Sequence, residues 1–344
     1  MTTIADVARQ AGVSMMTVSR VINKSGRVSE ETRKRVQDAI ERLGYRANMV
    51  ARGLATGRNH LIAYVVSNIG NPFFSNVSMG IEKACVGRGY SVIVYDVSSE
   101  KSMLECVDML IGRQLDGVVF HHLNITREQV QHLASGGVRC VTIDNEETLP
   151  ETVSVDTDNY AGARMAARHL IEKGHRRIGC IRGLIDPGLK NGAAEYIETF
   201  QRRIWRDRTN GFLDELREKG LEPTCMHEGS GGTRTGFASG RELLIRILDM
   251  PDPPTAIYCE NDLIALGALG ECLERKTPVP EQLAIVGHDG LDFCVYLYPR
   301  VTTVRQPQYE IGLLAAEKLL DCIETDRAAE HIVTQSSLFI GDTT

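Results

Sequence analysis

Residues 14–23 read Ser-Met-Met-Thr-Val-Ser-Arg-Val-Ile-Asn. Val18, Val21 and Ile22 follow the i, i+3, i+4 spacing of one helical face, which turns the other residues outward. Arg20 lies one turn beyond Met16 on that outward face. A guanidinium fork matches guanine O6 and N7, a contact worth about 1–3 kcal/mol of base discrimination. Thr17, Ser19 and Asn23 are small polar residues suited to phosphate oxygens, which fix register without reading sequence. The chemistry on offer is nucleic-acid recognition. Turnover chemistry finds no matching pattern: there is no Gly-x-Ser-x-Gly elbow and no HExxH. The stretch Gly229-Ser230-Gly231-Gly232-Thr233 is glycine-rich but lacks the Lys-Ser/Thr of a phosphate loop, and is expected to be an ordinary loop. His121, His122 and His175 have no plausible metal partner near them in sequence, so they are expected to be structural, with no bound metal or cofactor. The nine cysteines contain no CxxC and predict buried free thiols.

The outward face of 14–23 must be supported by neighbouring helices. Thr3 followed by Asp6 is a capping-box pattern, and Ile4, Val7 and Ala8 share one face of the helix it opens. Ala11-Gly12-Val13 breaks that helix, and Ser14 caps the next. Ser29 opens a third helix to about Leu43, with Gly44 as its C-terminal glycine. Two short helices joined at Gly12 make a helix-turn-helix, whose second helix can enter a major groove. Charge supports this. Residues 1–60 carry 11 Lys and Arg against 5 Asp and Glu, while the remainder carries 28 against 40. A basic head on an acidic body implies that only the head meets a polyanion.

Residues 46–59 are polar and punctuated by Gly53 and Gly57, which predicts a weakly helical linker. From Leu61 the pattern becomes strand and helix in alternation: LIAYVV, SVIVYD, DGVVF and VRCVTID with helices between them. A second series follows, with strands RIGCI, TCMHE, TAIYC and LAIVG and a last helix near residues 311–323. Such alternation predicts parallel sheets covered on both faces. Two series predict two doubly wound subdomains with a ligand cleft between them. A chain of 344 residues accommodates that many domains. No apolar run reaches the roughly 20 residues of a membrane span, and MTTIADVARQAG has no signal-peptide pattern. A cytoplasmic location is therefore expected.

The stretch from TIADVARQAGVSMMTVSRVIN to NMVARGL resembles the DNA-binding head and hinge of the lac-repressor (LacI/GalR) family. The likeness continues through NPFF, GIEKACVGRGY, SVDTDNYAGARMAARHLIEKGHRRIGCI, NDLIALGA, VPEQLAIVGHDG and TTVRQP, essentially the whole chain. It implies an all-α helix-turn-helix head at 1–46, a hinge at 47–59 and an α/β body at 60–344. The body would consist of two interleaved parallel-sheet subdomains like periplasmic sugar-binding proteins. The implied function is a dimeric repressor of a pseudo-palindromic DNA operator, controlled by a small-molecule effector such as a sugar. Ser14, Met15, Met16, Thr17, Ser19, Arg20 and Asn23 fall on the DNA-contacting positions. Met15 and Met16 depart from the polar residues common there and would meet thymine methyls or simply fit the groove, the alternative being that they pack the start of the helix. In the hinge, Ala51 and Leu54 match, Leu54 as the wedge that opens a central base step. Ala47 stands where a proline is common. Effector positions are Phe73, Arg208, Asn261, Asp262 and Asp289. An aromatic usual after TCMHE is missing, and Trp205, three residues before Arg208, is expected to share its helical face and to replace that aromatic or to pack the long segment 184–207. Asp262 could instead cap the helix it starts. A solute-binding protein and an enzyme on the same body are the competing readings. The former lacks a reason for the head, the latter a catalytic pattern.

Overall fold

The computed structural model describes residues 2–22, 25–45, 58–97, 100–184, 202–230, 233–325 and 329–344. Packing divides the chain between Asn59 and His60. The first unit has three helices, α1 (Ile4–Ala11), α2 (Met15–Ile22) and α3 (Glu30–Leu43). Their starts are chemically fixed. Thr3 accepts from the Asp6 amide while Asp6 accepts from the Thr3 amide, a reciprocal cap. Gly12 takes the left-handed φ of 65° that reverses the chain, and the Ser14 hydroxyl accepts the Thr17 amide at 3.2 Å. Ser29 caps α3, and Gly44 ends it with φ 57°. Val7, Val18 and Val36, one from each helix, are fully buried at the centre.

The second unit begins with β1 (Leu61–Val66), α4 (Pro72–Gly87), β2 (Ser91–Asp96), α5 (Glu100–Gly112), β3 (Gly117–His121), α6 (Arg127–Ser135), β4 (Arg139–Ile143) and β5 (Val153–Thr157). Next come α7 (Asn159–Glu172), β6 (Ile178–Leu184), α8 (Arg202–Glu218), β7 (Cys225–Ser230), α9 (Thr233–Leu248), β8 (Ala256–Cys259), α10 (Asp262–Arg275), β9 (Ala284–Asp289), α11 (Asp292–Tyr296) and β10 (Thr302–Arg305). The chain closes with α12 (Gln308–Thr325), β11 (His331–Thr334) and β12 (Ser337–Phe339). Two six-stranded sheets result, ordered β11-β5-β4-β3-β1-β2 and β12-β10-β9-β8-β6-β7. All pairings are parallel except β12 with β10.

Each sheet is covered on both faces, as parallel sheets require. On the first, α4 and α12 bury Tyr64, Phe74, Ile81 and Leu319, while α5 and α6 bury Met103, Leu110, Phe120 and Leu133. On the second, α7 and α8 bury Ala163, Phe212 and Tyr258, and α9 and α10 bury Leu244, Ile247 and Ile264. Helices α4 and α12 touch backbone to backbone. A Cβ on Gly80 would lie 2.0 Å from the Tyr309 carbonyl, and one on Gly312 2.0 Å from that of Val77.

The structure corrects the sequence reading in two places. The last helix, placed there in the second series, packs on the first sheet against β3, β4 and β5. The chain thus passes between the sheets three times, after β5, β10 and β11. Gly229 and Ser230, read as loop, extend β7 alongside Gly183 and Leu184. Gly231 and Gly232 lie outside the described residues.

Candidate functional site

In the first unit the outward face of α2 is as expected from the spacing. Met15 and Met16 are 55% and 64% exposed, so neither is a packing residue. Ser14 and Arg20 are exposed, while Thr17 and Ser19 are partly so. The Thr17 hydroxyl is 3.0 Å from that of Ser14 and belongs to the cap of α2. Asn23, Ala51 and Leu54 lie outside the described residues.

In the second unit the chemistry collects at the carboxyl ends of the strands, where open parallel sheets bind ligands. On the first sheet, β1 and β3 flank the point where strand order reverses. Asn71 caps α4 by accepting the Phe73 amide at 3.0 Å, which fixes Phe73 at the helix start. The Phe73 ring stacks on His122 with centroids 5.7 Å apart and planes at 20°. His122 Nε2 is 3.3 Å from Asp144 Oδ2.

On the second sheet the organising residue is Arg208, on α8 and only 2% exposed. Its Nε donates to Asn159 Oδ1 at 2.8 Å, its Nη2 to Asp289 Oδ1 at 3.0 Å, and its Nη1 to the Glu260 carbonyl. These partners sit at the start of α7, the end of β9 and just past β8. Asp289 holds the rare φ of 120°. Gln306 donates to its carboxylate at 3.1 Å and Gln308 to its carbonyl at 2.7 Å. Burial raises the Asp289 pKa, and Arg208 and, from the first sheet, His122 oppose the rise. The two sheet ends therefore face each other within electrostatic range. Arg203, also on α8, crosses between them, donating to the Asn145 carbonyl at 3.0 Å and to Asp156 at 2.8 Å.

Trp205 is 9% exposed. Its ring covers Gly183, where a Cβ would come within 2.5 Å of the indole, and the Arg208 guanidinium lies 5.4 Å from its centroid. Trp205 and Arg208 therefore meet as their spacing predicts. Asn261 and Asp262 are committed to the protein itself. Asn261, not Asp262, is the cap of α10, accepting the Ile264 amide at 2.8 Å. Asp262 is fully buried, accepting from the Leu291 amide at 2.7 Å and the Thr303 hydroxyl at 2.6 Å. Burial, then the neighbouring Asp289 carboxylate, pushes its pKa up. The sequence reading missed Asn159, Glu260, Arg203 and Asp144. Asn159 and Glu260 each sit where a strand gives way to a helix, a position that marks cleft residues in this architecture.

A profile of bacterial regulatory proteins of the lacI family matches residues 3–48, and one of the periplasmic binding protein-like domain matches 167–344. The HTH-type transcriptional repressor PurR of Aliivibrio salmonicida (strain LFI1238) is 32% identical over 331 residues, covering 94% of this chain and 93% of its own. The chain belongs to the lacI family. Among solved structures, the lac repressor dimer bound to operator and the anti-inducer ONPF is similar over 100% of this chain and 99% of that one, with TM-score 0.83 and 25% identity. The transcriptional regulator CelR in complex with cellobiose is similar over 100% of both chains, with TM-score 0.69 and 30% identity. As a lacI-family member, this chain is a helix-turn-helix transcriptional regulator with an effector-binding body. Its kinship is with repressors, not enzymes.

Glu260 gives this regulator's cleft a measurable pH signature. It is fully buried, and burial lifts its carboxyl to about 7, against donation from the Thr209 hydroxyl at 2.6 Å and the Gly183 amide at 3.2 Å. A raised carboxyl pKa means the folded state holds the proton that the unfolded chain, near 4.5, releases. Stability is then fully present below the unfolded value and falls as pH rises toward the folded one, by about 3 kcal/mol. Urea unfolding across that window should show the wild type losing this amount relative to Glu260→Gln. Parallel pH profiles for the two proteins would contradict it.

Proposed function

We propose that this protein is a homodimeric repressor that reads a pseudo-palindromic DNA operator and releases or holds it according to a polar small molecule in the body cleft. Residues 1–46 form the reading head, 47–59 the hinge and 60–344 the body, and the protein works in the cytoplasm. The observation that carries the reading is α2. Met15, Met16 and Arg20 project from a helix whose Val18 and Val21 are buried, in a segment matching the lacI-family head. Arg20 reads a guanine, the methionines meet thymine methyls, and Ser14, Thr17, Ser19 and Asn23 hold phosphates. One head spans too few base pairs for specificity, so two half-sites about one helical turn apart are needed. In the hinge, Ala51 and Leu54 enter the minor groove, Leu54 as the wedge.

The effector lies between the sheet ends, against Phe73, Trp205, Arg208 and Asp289, with Asn261 and Asp262 fixing the wall behind. Planar charged donors, carboxylates and aromatic faces together suit a sugar or similar polyol. The cellobiose complex of CelR supports that class, and the operator complex of the lac repressor dimer supports the assembly. The hinge match NMVARGL has only seven residues, and an isolated helix of fewer than about 12 is marginal in water. It folds only when the two bodies set the right separation, so effector and operator must change each other's affinity by the same factor.

Arg20→Ala should weaken operator binding by about 1–3 kcal/mol and relax preference at one base pair. Gel shifts on operator and random duplexes decide this, since equal losses on both would make Arg20 a phosphate contact. Trp205 is the only tryptophan in the chain. Its emission should change when a thermal-shift screen of sugars and sugar phosphates finds a stabilising ligand, which at 100 times its Kd adds about 2.7 kcal/mol. A silent indole, with unchanged ligand affinity in Trp205→Ala, would leave Trp205 only a packing role.

A further inference from the structure

The first sheet's end of the cleft brings together three side chains that sequence kept apart. One ring nitrogen each of His121 and His122 and a carboxylate oxygen of Asp144 lie within 4.8 Å of one another. Sequence offers the histidines no acidic neighbour; the fold brings Asp144, 22 residues beyond His122, beside them.

Each of the three is prepared differently. His121 is fully buried, with Nδ1 2.7 Å from the Tyr64 hydroxyl and Nε2 without a hydrogen-bond partner. Asp144 is anchored through Oδ1, which accepts the Thr157 amide at 2.7 Å, leaving Oδ2 toward His122. The His122 Nε2 to Asp144 Oδ2 separation of 3.3 Å is longer than the roughly 2.7–2.9 Å of a charge-assisted hydrogen bond. It matches the roughly 3.4 Å between two ligands each about 2.0–2.1 Å from a tetrahedral ion. His122 and Asp144 occupy equivalent positions, directly after β3 and β4, and both take left-handed φ, 52° and 49°. Strained non-glycine residues of this kind collect at functional sites.

The second sheet supplies an internal control. Tyr258 and His288 repeat the Tyr64–His121 pair, again with Oη to Nδ1 at 2.7 Å and the histidine two residues beyond the tyrosine's register partner. There the imidazole abuts Gly162, where a Cβ would lie 3.3 Å from Nε2, and that Nε2 is likewise without a hydrogen-bond partner; what sets the first sheet apart is the second histidine and the carboxylate beside the ring. Among the described residues no further ligands gather around it. The Tyr–His pair is thus common to both sheets, and the additional His and Asp are particular to the first.

We propose that the cleft holds a divalent transition-metal ion of zinc's type, bound by His121, His122 and Asp144, with a fourth position open to the cleft. Two neutral imidazoles and a carboxylate suit such an ion, and three protein ligands leave room for an exchangeable one. Tyr64 acts as a positioning residue: Nδ1–H of His121 donates to its hydroxyl and leaves Nε2 as a bare lone pair. This deepens the effector reading and rests on it. The effector completes the coordination, so it is a molecule with adjacent oxygens, a hydroxy acid or chelating polyol.

The test is calorimetric titration of the chelator-stripped full-length protein with zinc alone, with cobalt's visible absorption as a spectroscopic check. One ion per chain is expected. Asp144→Asn keeps the Thr157 bond and should weaken binding at least 10-fold, and His122→Ala likewise. Tyr64→Phe should weaken it about 10–100-fold, while His132→Ala, on the surface beside Asp108, should change nothing. Circular dichroism verifies that each variant folds. Absence of saturable binding, or wild-type affinity in both Asp144→Asn and Tyr64→Phe, overturns the site. A screened ligand that stabilises the protein equally in chelator and in zinc overturns the metal while leaving the cleft reading intact. A ligand whose binding survives both Phe73→Ala and Arg208→Met overturns the cleft reading instead.

Discussion

The buried guanidinium of Arg208 is the interaction on which the effector body depends. Removing such a charge from water costs several kcal/mol, and the cost is recovered only by well-placed hydrogen bonds and an opposite charge. Here Asp289, Asn159 and the Glu260 carbonyl meet it, and the Trp205 face closes over it. Each partner belongs to a different strand-to-helix junction or strand end. One side chain therefore holds three chain segments together at the carboxyl ends of the second sheet's strands.

This wall faces a second one of different character. Phe73, His122 and Asp144 offer a ring face, an imidazole and a carboxylate, where the other wall is built around the Arg208 guanidinium. Because the chain passes between the sheets three times, the walls belong to one covalent frame whose sheets can shift only together with their crossovers. A ligand bridging both walls stabilises one spacing over others. Such differential stabilisation is the physical content of allosteric control. The head contributes the complementary economy. Its own core centres on Val7, Val18 and Val36, which leaves Met15, Met16 and Arg20 of α2 exposed.

Much of this was legible in the residues. The capping pairs Thr3–Asp6 and Ser14–Thr17 and the Gly12 reversal are local, so sequence carries them almost completely. The strands LIAYVV and SVIVYD are short apolar runs bounded by polar residues and read correctly for the same reason. Strands β5, β10, β11 and β12 are only three to five residues long, and the pairing that makes them strands comes from distant segments. The placement of α12 on the first sheet is likewise a fact of topology. In the cleft, Arg208 and Asp289 were found through resemblance. Their partner Glu260 and the approach of Asp144 to His121 and His122 arise only once strand ends align. Trp205 illustrates the boundary: its spacing from Arg208 predicted a shared face, but nothing local showed that Gly183 lies beneath the ring.

The most direct measurement is a double-mutant cycle on the Arg208–Asp289 pair, with Arg208→Met, Asp289→Asn and their combination compared by urea unfolding of the full-length protein. If this pair holds the cleft wall, each single change strands a buried charge or its donors and costs about 3–5 kcal/mol. The combination should then cost less than their sum by about 1–3 kcal/mol. Additive losses, or single variants as stable as the wild type, would contradict the claim that the wall is built around Arg208.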